Sequence, residues 1–372
     1  MAGRIDKVEH GNAPGCDASS SRPTRRRLLA GAAGLAAFSS TAPLAATFLD
    51  IEPYAGPVGA DDGGTFDGAA PRPGTPLDGD VTGALSYLIT DGERTLIDVA
   101  LERDLGILGI SALNPGVDVW VPGAERFVAL PTAWVLPEHE RRGIIVNLAE
   151  LRLYHFPEPN TVPHVHTIGI GREGFTTPLG ATTVTRKQAD PTWYPTEATR
   201  ADRPELPAVV PPGPDNPLGR HAIYLGFPTY LIHGTNRPYG VGRRVSRGCI
   251  RMYPDAVATL FERVPVGLPV RIMDDPIKLG WAAGDLWLEV HPDLEQFDQL
   301  EVDYRFTPKP PPDVRGRIMA KAGDSRDRLA WDVIDKELVN RRGIPIRITR
   351  PEVASADRRH RSTIPSDFIG IY

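Results

Sequence analysis

His233-Gly234-Thr235-Asn236 and, nine residues later, Ser246-Arg247-Gly248-Cys249-Ile250-Arg251 form the stretch on which the reading of this chain turns. It sets a histidine close in sequence to one of the chain's two cysteines. A thiol attacks a carbonyl as thiolate, and an imidazole within hydrogen-bond reach can take its proton near neutral pH. Gly248 has no side chain to block the sulfur. Backbone N–H groups of Gly248 and Cys249, in a tight turn, are placed to meet the oxygen of an attacked carbonyl. The predicted chemistry is thiol acyl transfer. The bland alternative is a buried, inert cysteine, but Ser246, Arg247, Gly248 and Arg251 are poor company for a core position.

Around this stretch the chain reads mainly as strands. Gly143 to Asn147, Arg152 to Phe156, His164 to Ile170, Ala181 to Thr185, His221 to Leu225, Leu231 to His233 and Leu268 to Ile272 are short, β-rich and punctuated by turns, which predicts a sandwich or barrel over residues 142–275. The Pro-dense segment from Gln188 to Gly219 is too irregular for an element of its own and reads as a groove wall beside the site. Tyr253-Pro254-Asp255 opens a helix just past the cysteine, with proline in the first turn where its missing N–H costs nothing. Residues 85–135 read as strand, turn, helix and second strand, and residues 276–372 as an α+β extension without a functional reading.

Upstream, Thr24-Arg25-Arg26-Arg27-Leu28-Leu29 precedes an apolar, small-residue run ending at Leu44-Ala45-Ala46. Paired arginines before such a run resemble a twin-arginine export signal over residues 1–46, and the run is short for a membrane span. Residues 47–84 read as a Gly- and Pro-rich linker. Export would remove Cys16 with the leader and leave Cys249 as the one cysteine of the mature chain, which excludes a structural disulfide within it. The net charge of −5 over 372 residues argues against a nucleic-acid partner.

With these blocks in view, residues 142–275 resemble the catalytic domain of bacterial L,D-transpeptidases. The resemblance rests on Thr177-Pro178-Leu179-Gly180, Asn216-Pro217-Leu218-Gly219, Ile232-His233-Gly234-Thr235-Asn236 and Ser246-Arg247-Gly248-Cys249-Ile250-Arg251, in that order. Arg247 departs from the histidine that many members place before the glycine. Tyr87, the turn from Asp91 to Leu96, Leu113-Asn114-Pro115 and Leu130-Pro131 make residues 85–135 similar to a lysin-motif module, a small βααβ glycan-binding unit; a plain α/β spacer is the other reading. The whole arrangement is similar to a Gram-negative subgroup of the family.

The resemblance implies a reaction. Cys249 would attack the carbonyl of the third residue of a peptidoglycan stem tetrapeptide, usually a diaminopimelic acid, and release the terminal D-alanine. His233 would act as base, oriented by the carbonyl of Gly234. The acyl group would pass to a neighbouring stem amine, giving a 3→3 cross-link, or to a wall-anchored protein lysine, or to water. Ser246, Arg247, Arg251, Thr235 and Asn236 are the expected substrate contacts, with one of Arg243, Arg244, Arg247 and Arg251 meeting a stem carboxylate. Glycan strands are the further partner, and neither metal nor organic cofactor is implied. His164, His166 and His221 match no usual zinc-ligand spacing. Two alternatives stay open: an L,D-carboxypeptidase or endopeptidase using the same pair, and a non-catalytic wall-binding protein.

Overall fold

The computed structural model describes residues 72–309 and 314–351. The expected export signal and Cys16 lie outside the described residues. In the first part, β1 (Val81–Gly83) is followed by β2 (Ser86–Asp91), α1 (Leu96–Glu102), α2 (Ile107–Leu113), β3 (Ala124–Leu130) and β4 (Ala133–Val135). The strand-helix-helix-strand order expected for 85–135 is therefore present. Helix α1 starts where Thr95 and Asp98 cap each other reciprocally, each side chain accepting the other's backbone N–H. The linker expectation needs correction at its end: Gly74 N–H donates to the Val162 carbonyl and β1 pairs with β4, so residues from 72 onward pack against the body.

The central part runs β5 (Gly143–Asn147), β6 (Arg152–Phe156), β7 (His164–Gly171), β8 (Gly180–Ala189), α3 (Glu197–Asp202), β9 (His221–Leu225), β10 (Leu231–His233), β11 (Arg244–Ser246), β12 (Ile250–Met252), α4 (Pro254–Arg263) and β13 (Pro269–Met273). Its nine-stranded sheet has the order β11-β7-β12-β10-β9-β8-β13-β5-β6, and β6 pairs back onto β7. The sheet thus closes, so of the two all-β architectures expected the chain takes the barrel. Every residue of β5 and β6 is buried because both faces are covered. Ile144, Val146 and Leu153 point into the barrel core, while Ile145, Tyr154 and Phe156 join Leu136 outside it.

The last part comprises β14 (Ile277–Ala282), β15 (Asp285–Val290), α5 (Leu294–Asp303), α6 (Val314–Ala322), α7 (Trp331–Asn340) and β16 (Ile346–Arg347), the α+β extension that was expected. It does not hang free. Phe297 and Leu300 of α5 enter the same core cluster as Leu96 and Ile107 of α1 and α2 and Ile232 and Ile250 of the barrel. The Tyr253 hydroxyl donates to the Leu105 carbonyl at 3.0 Å, and Asp104 accepts from the Thr167 N–H at 3.2 Å, so the turn between α1 and α2 is bonded to the barrel.

A buried ionic cluster joins extension to barrel. Lys278 donates to Glu150 at 2.7 Å and lies 3.1 Å from Glu289, Arg152 reaches the same two carboxylates at 3.1 and 2.9 Å, and the Tyr154 hydroxyl donates to Glu150 at 2.6 Å. Burial pushes both carboxyls up, but Lys278 leads the opposing charges and holds both below their ordinary range. Ligand atoms of Glu150, Glu289 and His291 lie within 4.8 Å of one another, the grouping a metal ion would need. The Lys278 ammonium already sits among them and supplies the positive charge, so these residues make an ionic tie rather than a metal centre.

Candidate functional site

Strand register builds the site. The parallel pair β10–β12 sets Ile232 opposite Ile250 and His233 opposite Arg251, while antiparallel β9 sets Leu231 opposite Tyr224 and His233 opposite Ala222. Side chains alternate across a sheet, so Ile223, Ile232 and Ile250 fill the barrel core. Ala222, Tyr224, Leu231, His233, Cys249 and Arg251 share the opposite face. There Trp193, Leu206, Val210 and Leu218 of the segment between β8 and β9 pack over Ala222, Leu231 and Cys249.

That segment is better ordered than its proline content suggests. It carries the short helix α3, capped by the Thr196 side chain, and a bridge between Trp193 and Val210. Asn216 knits it: its amide donates to the carbonyls of Pro191, Val210 and Pro211, and its oxygen accepts the Leu218 N–H. At Gly219 (φ +66°) a Cβ would stand 2.7 Å from the Thr235 nitrogen, so only glycine allows the cover to lie this close to the histidine strand.

His233 and Cys249 are each 1% exposed. The Gly234 carbonyl lies 2.6 Å from His233 Nδ1 and can only accept, so that nitrogen carries the proton. Nε2 is then the bare, basic nitrogen, buried and without a hydrogen bond among the described residues. Burial first, and the Arg251 cation second, hold the imidazole far below its ordinary range, at about 3, although the Gly234 and Leu218 carbonyls pull it upward. His233 is therefore neutral at physiological pH, with its free lone pair on Nε2.

The cysteine turn is braced from within. Ser246 Oγ donates to the Cys249 carbonyl at 2.6 Å and accepts the Gly248 N–H at 3.1 Å. Ser246 thus shapes the turn, and its one hydroxyl proton is committed there. The Gly248 N–H, expected as an oxyanion donor, is committed to that hydroxyl. Gly248 has φ +104°, and a Cβ there would stand 2.9 Å from the Tyr230 ring. Its carbonyl accepts from Thr177 Oγ1 at 2.8 Å, which explains the Thr177-Pro178-Leu179-Gly180 block. The Thr229 carbonyl lies 3.5 Å from Cys249 Sγ. Among the described residues no cysteine is free, Cys249 being disulfide-bonded.

The four arginines meet different neighbours. Arg243 pairs with Glu301, and Arg244 holds both Asp298 carboxylate oxygens at 2.8 and 2.7 Å, so these two clamp α5. Arg251, 2% exposed, lies beside His233. Arg247 stacks on the Phe175 ring and pairs with Asp202 of α3. Thr235 Oγ1 accepts the Arg237 N–H, and Asn236 donates to the Asp215 carbonyl, so both serve local chain geometry. Phe175 and Asp202 had no sequence signal.

The L,D-transpeptidase catalytic domain, the YkuD family, matches residues 141–272. The "Probable L,D-transpeptidase ErfK/SrfK" of Escherichia coli (strain K12) is 43% identical over 260 residues, covering 67% of this chain and 81% of the relative. The "Probable L,D-transpeptidase YbiS" of the same organism is 39% identical over 259 residues, covering 67% and 81%. Among solved structures, the catalytic domain of the Enterococcus faecium L,D-transpeptidase aligns with a TM-score of 0.29 at 21% identity, covering 37% of this chain and all of that one.

Proposed function

The chain belongs to the L,D-transpeptidase family, and from that premise we propose that it acts on peptidoglycan stem tetrapeptides through a cysteine acyl-enzyme. The observation that carries this reading is the shared sheet face of Cys249 and His233, with the imidazole held by the Gly234 carbonyl so that Nε2 is basic. In the reduced enzyme, Cys249 Sγ forms a bond to the carbonyl carbon of the third stem residue as His233 Nε2 takes the thiol proton. The C–N bond to D-alanine then breaks, and His233 returns the proton to the departing amine. A neighbouring stem amine attacks the thioester next, loses its proton to His233, and releases the thiolate as a 3→3 cross-link forms. A wall-anchored protein amine or water can take the acceptor's place. Because the Gly248 N–H is engaged by Ser246, the charge on the tetrahedral oxygen falls to other donors, or the turn must rearrange.

In this reading, residues 142–275 form the catalytic unit, 85–135 a lysin-motif-like glycan contact, and the described residues of the C-terminal extension a brace. Residues 1–46 direct export to the periplasm. No helix among the described residues is long and apolar enough to cross a membrane.

Mass spectrometry of products from purified disaccharide-tetrapeptide, with the protein in reductant, tests the reading. A dimer lacking one D-alanine is expected. Tripeptide alone would move the protein to the carboxypeptidases, and unchanged substrate would sink the reading.

The depressed His233 also sets a pH profile. A base works when unprotonated, and its unprotonated fraction falls only as pH drops through its pKa. The acid limb of kcat/KM should therefore lie well below pH 6, with little loss between pH 7 and 5. Arg251→Gln removes a cation that disfavours imidazolium and should move that limb upward. A wild-type limb at the ordinary histidine value, unmoved by the substitution, would contradict the depression of His233 by burial and Arg251.

A further inference from the structure

The cover over the sulfur is tied to the nucleophile's own turn. Asp202, the last residue of α3, pairs with Arg247, which precedes Cys249 by two residues. The two partners are held very differently. The Arg247 side chain is 2% exposed and its guanidinium lies 4.7 Å from the Phe175 ring centroid, with Arg172 at 4.9 Å from the same ring. Asp202 is 54% exposed at the end of a six-residue helix. A stacked, buried guanidinium stays in place, whereas a hydrated carboxylate on a short helix can leave. Cys249 lies in one buried cluster with Trp193 and Leu218, against which Leu206 and Val210 pack, so a stem peptide that comes to the sulfur from this face has to displace part of the segment.

We propose that Asp202 stands in for a substrate carboxylate on Arg247: the ion pair latches the cover closed, and the stem peptide opens the site by replacing Asp202 on the guanidinium. The inference rests on the transpeptidase reading for its ligand, a peptide with free carboxylates. Arg247 thereby keeps the substrate role expected of it, with its place filled by the chain's own carboxylate until substrate arrives. The carboxylate is either that of the terminal D-alanine or that of the third residue's side chain, and both present the same two-oxygen face to the fork of donors.

The test uses the full chain in reductant with Asp202→Asn, Arg247→Gln and the double variant. Iodoacetamide, small and neutral, reports access to Cys249 by mass spectrometry without needing the enzyme's own reaction. Both single variants should be alkylated faster than wild type. With disaccharide-tetrapeptide they should part: Asp202→Asn raises kcat/KM about three- to tenfold through a lower KM, while Arg247→Gln lowers it by about tenfold or more. The double variant should follow Arg247→Gln. Stems amidated at one carboxylate or the other identify the group, since the amidation that harms wild type will not harm Arg247→Gln further. Alkylation and KM unchanged in Asp202→Asn, or a lower kcat/KM there, overturn the latch. Alkylation faster in both variants, with no stem turnover by wild type, would keep the latch and overturn its ligand together with the transpeptidase reading.

Discussion

Cys249→Ala is expected to leave the fold intact and to remove turnover of disaccharide-tetrapeptide by at least about 10⁴-fold, the scale on which loss of a nucleophile acts. Alanine suits the site sterically because the sulfur packs among Trp193, Leu218, Ala222 and Leu231, and the smaller residue leaves only a modest void there. Residual cross-linking by Cys249→Ala at more than a few per cent of wild type would show that another group carries the acyl transfer.

The largest effect on stability should come from Lys278→Met. Lys278 is fully buried and bridges Glu150 and Glu289, themselves fully buried. Removing one partner of such a cluster leaves uncompensated charge and typically costs about 3–5 kcal/mol. A fall in Tm on the order of 10 °C at pH 7 is the expected reading. The sign with pH discriminates the cause. In wild type both carboxyls sit below their ordinary range, so they contribute stability above the unfolded carboxylate value that is lost as pH falls. Without the ammonium, burial dominates and raises them above that value. The folded variant then binds a proton more readily than the unfolded chain, and its deficit relative to wild type should narrow on acidification. A loss below about 1 kcal/mol, or a deficit that widens at pH 5, would contradict the electrostatic account.

Local signals were legible wherever short-range chemistry decides structure. Gly143 to Asn147 and Arg152 to Phe156 are strands because branched and aromatic residues favour the pleated surface, and Tyr253-Pro254-Asp255 opens α4 because proline fits the first turn. The site pair was legible because both residues lie in short blocks with few conformational options. What was missed depends on residues far apart. The parallel pairing of β5 with β13, the Glu150–Lys278–Glu289 cluster and the partners of Arg243, Arg244 and Arg247 are choices made by the folded chain. A run of arginines looks alike in sequence whether it meets a ligand or the chain's own carboxylates. Helix α3 was hidden by the prolines around it, with only the Thr196 cap as a cue.

The core cluster spanning Leu96 of α1, Ile250 of the barrel and Leu300 of α5 makes these parts one cooperative unit. Heat or denaturant does not meet beads on a string. Detaching α1 and α2 would bare Leu96, Ile107 and Ile110 together with the barrel side chains they cover, an apolar area too large to expose at modest cost. Partly opened forms with one part undocked are therefore rare, and a fragment cut at the barrel's own boundaries would carry a sticky, water-exposed wound rather than a finished surface.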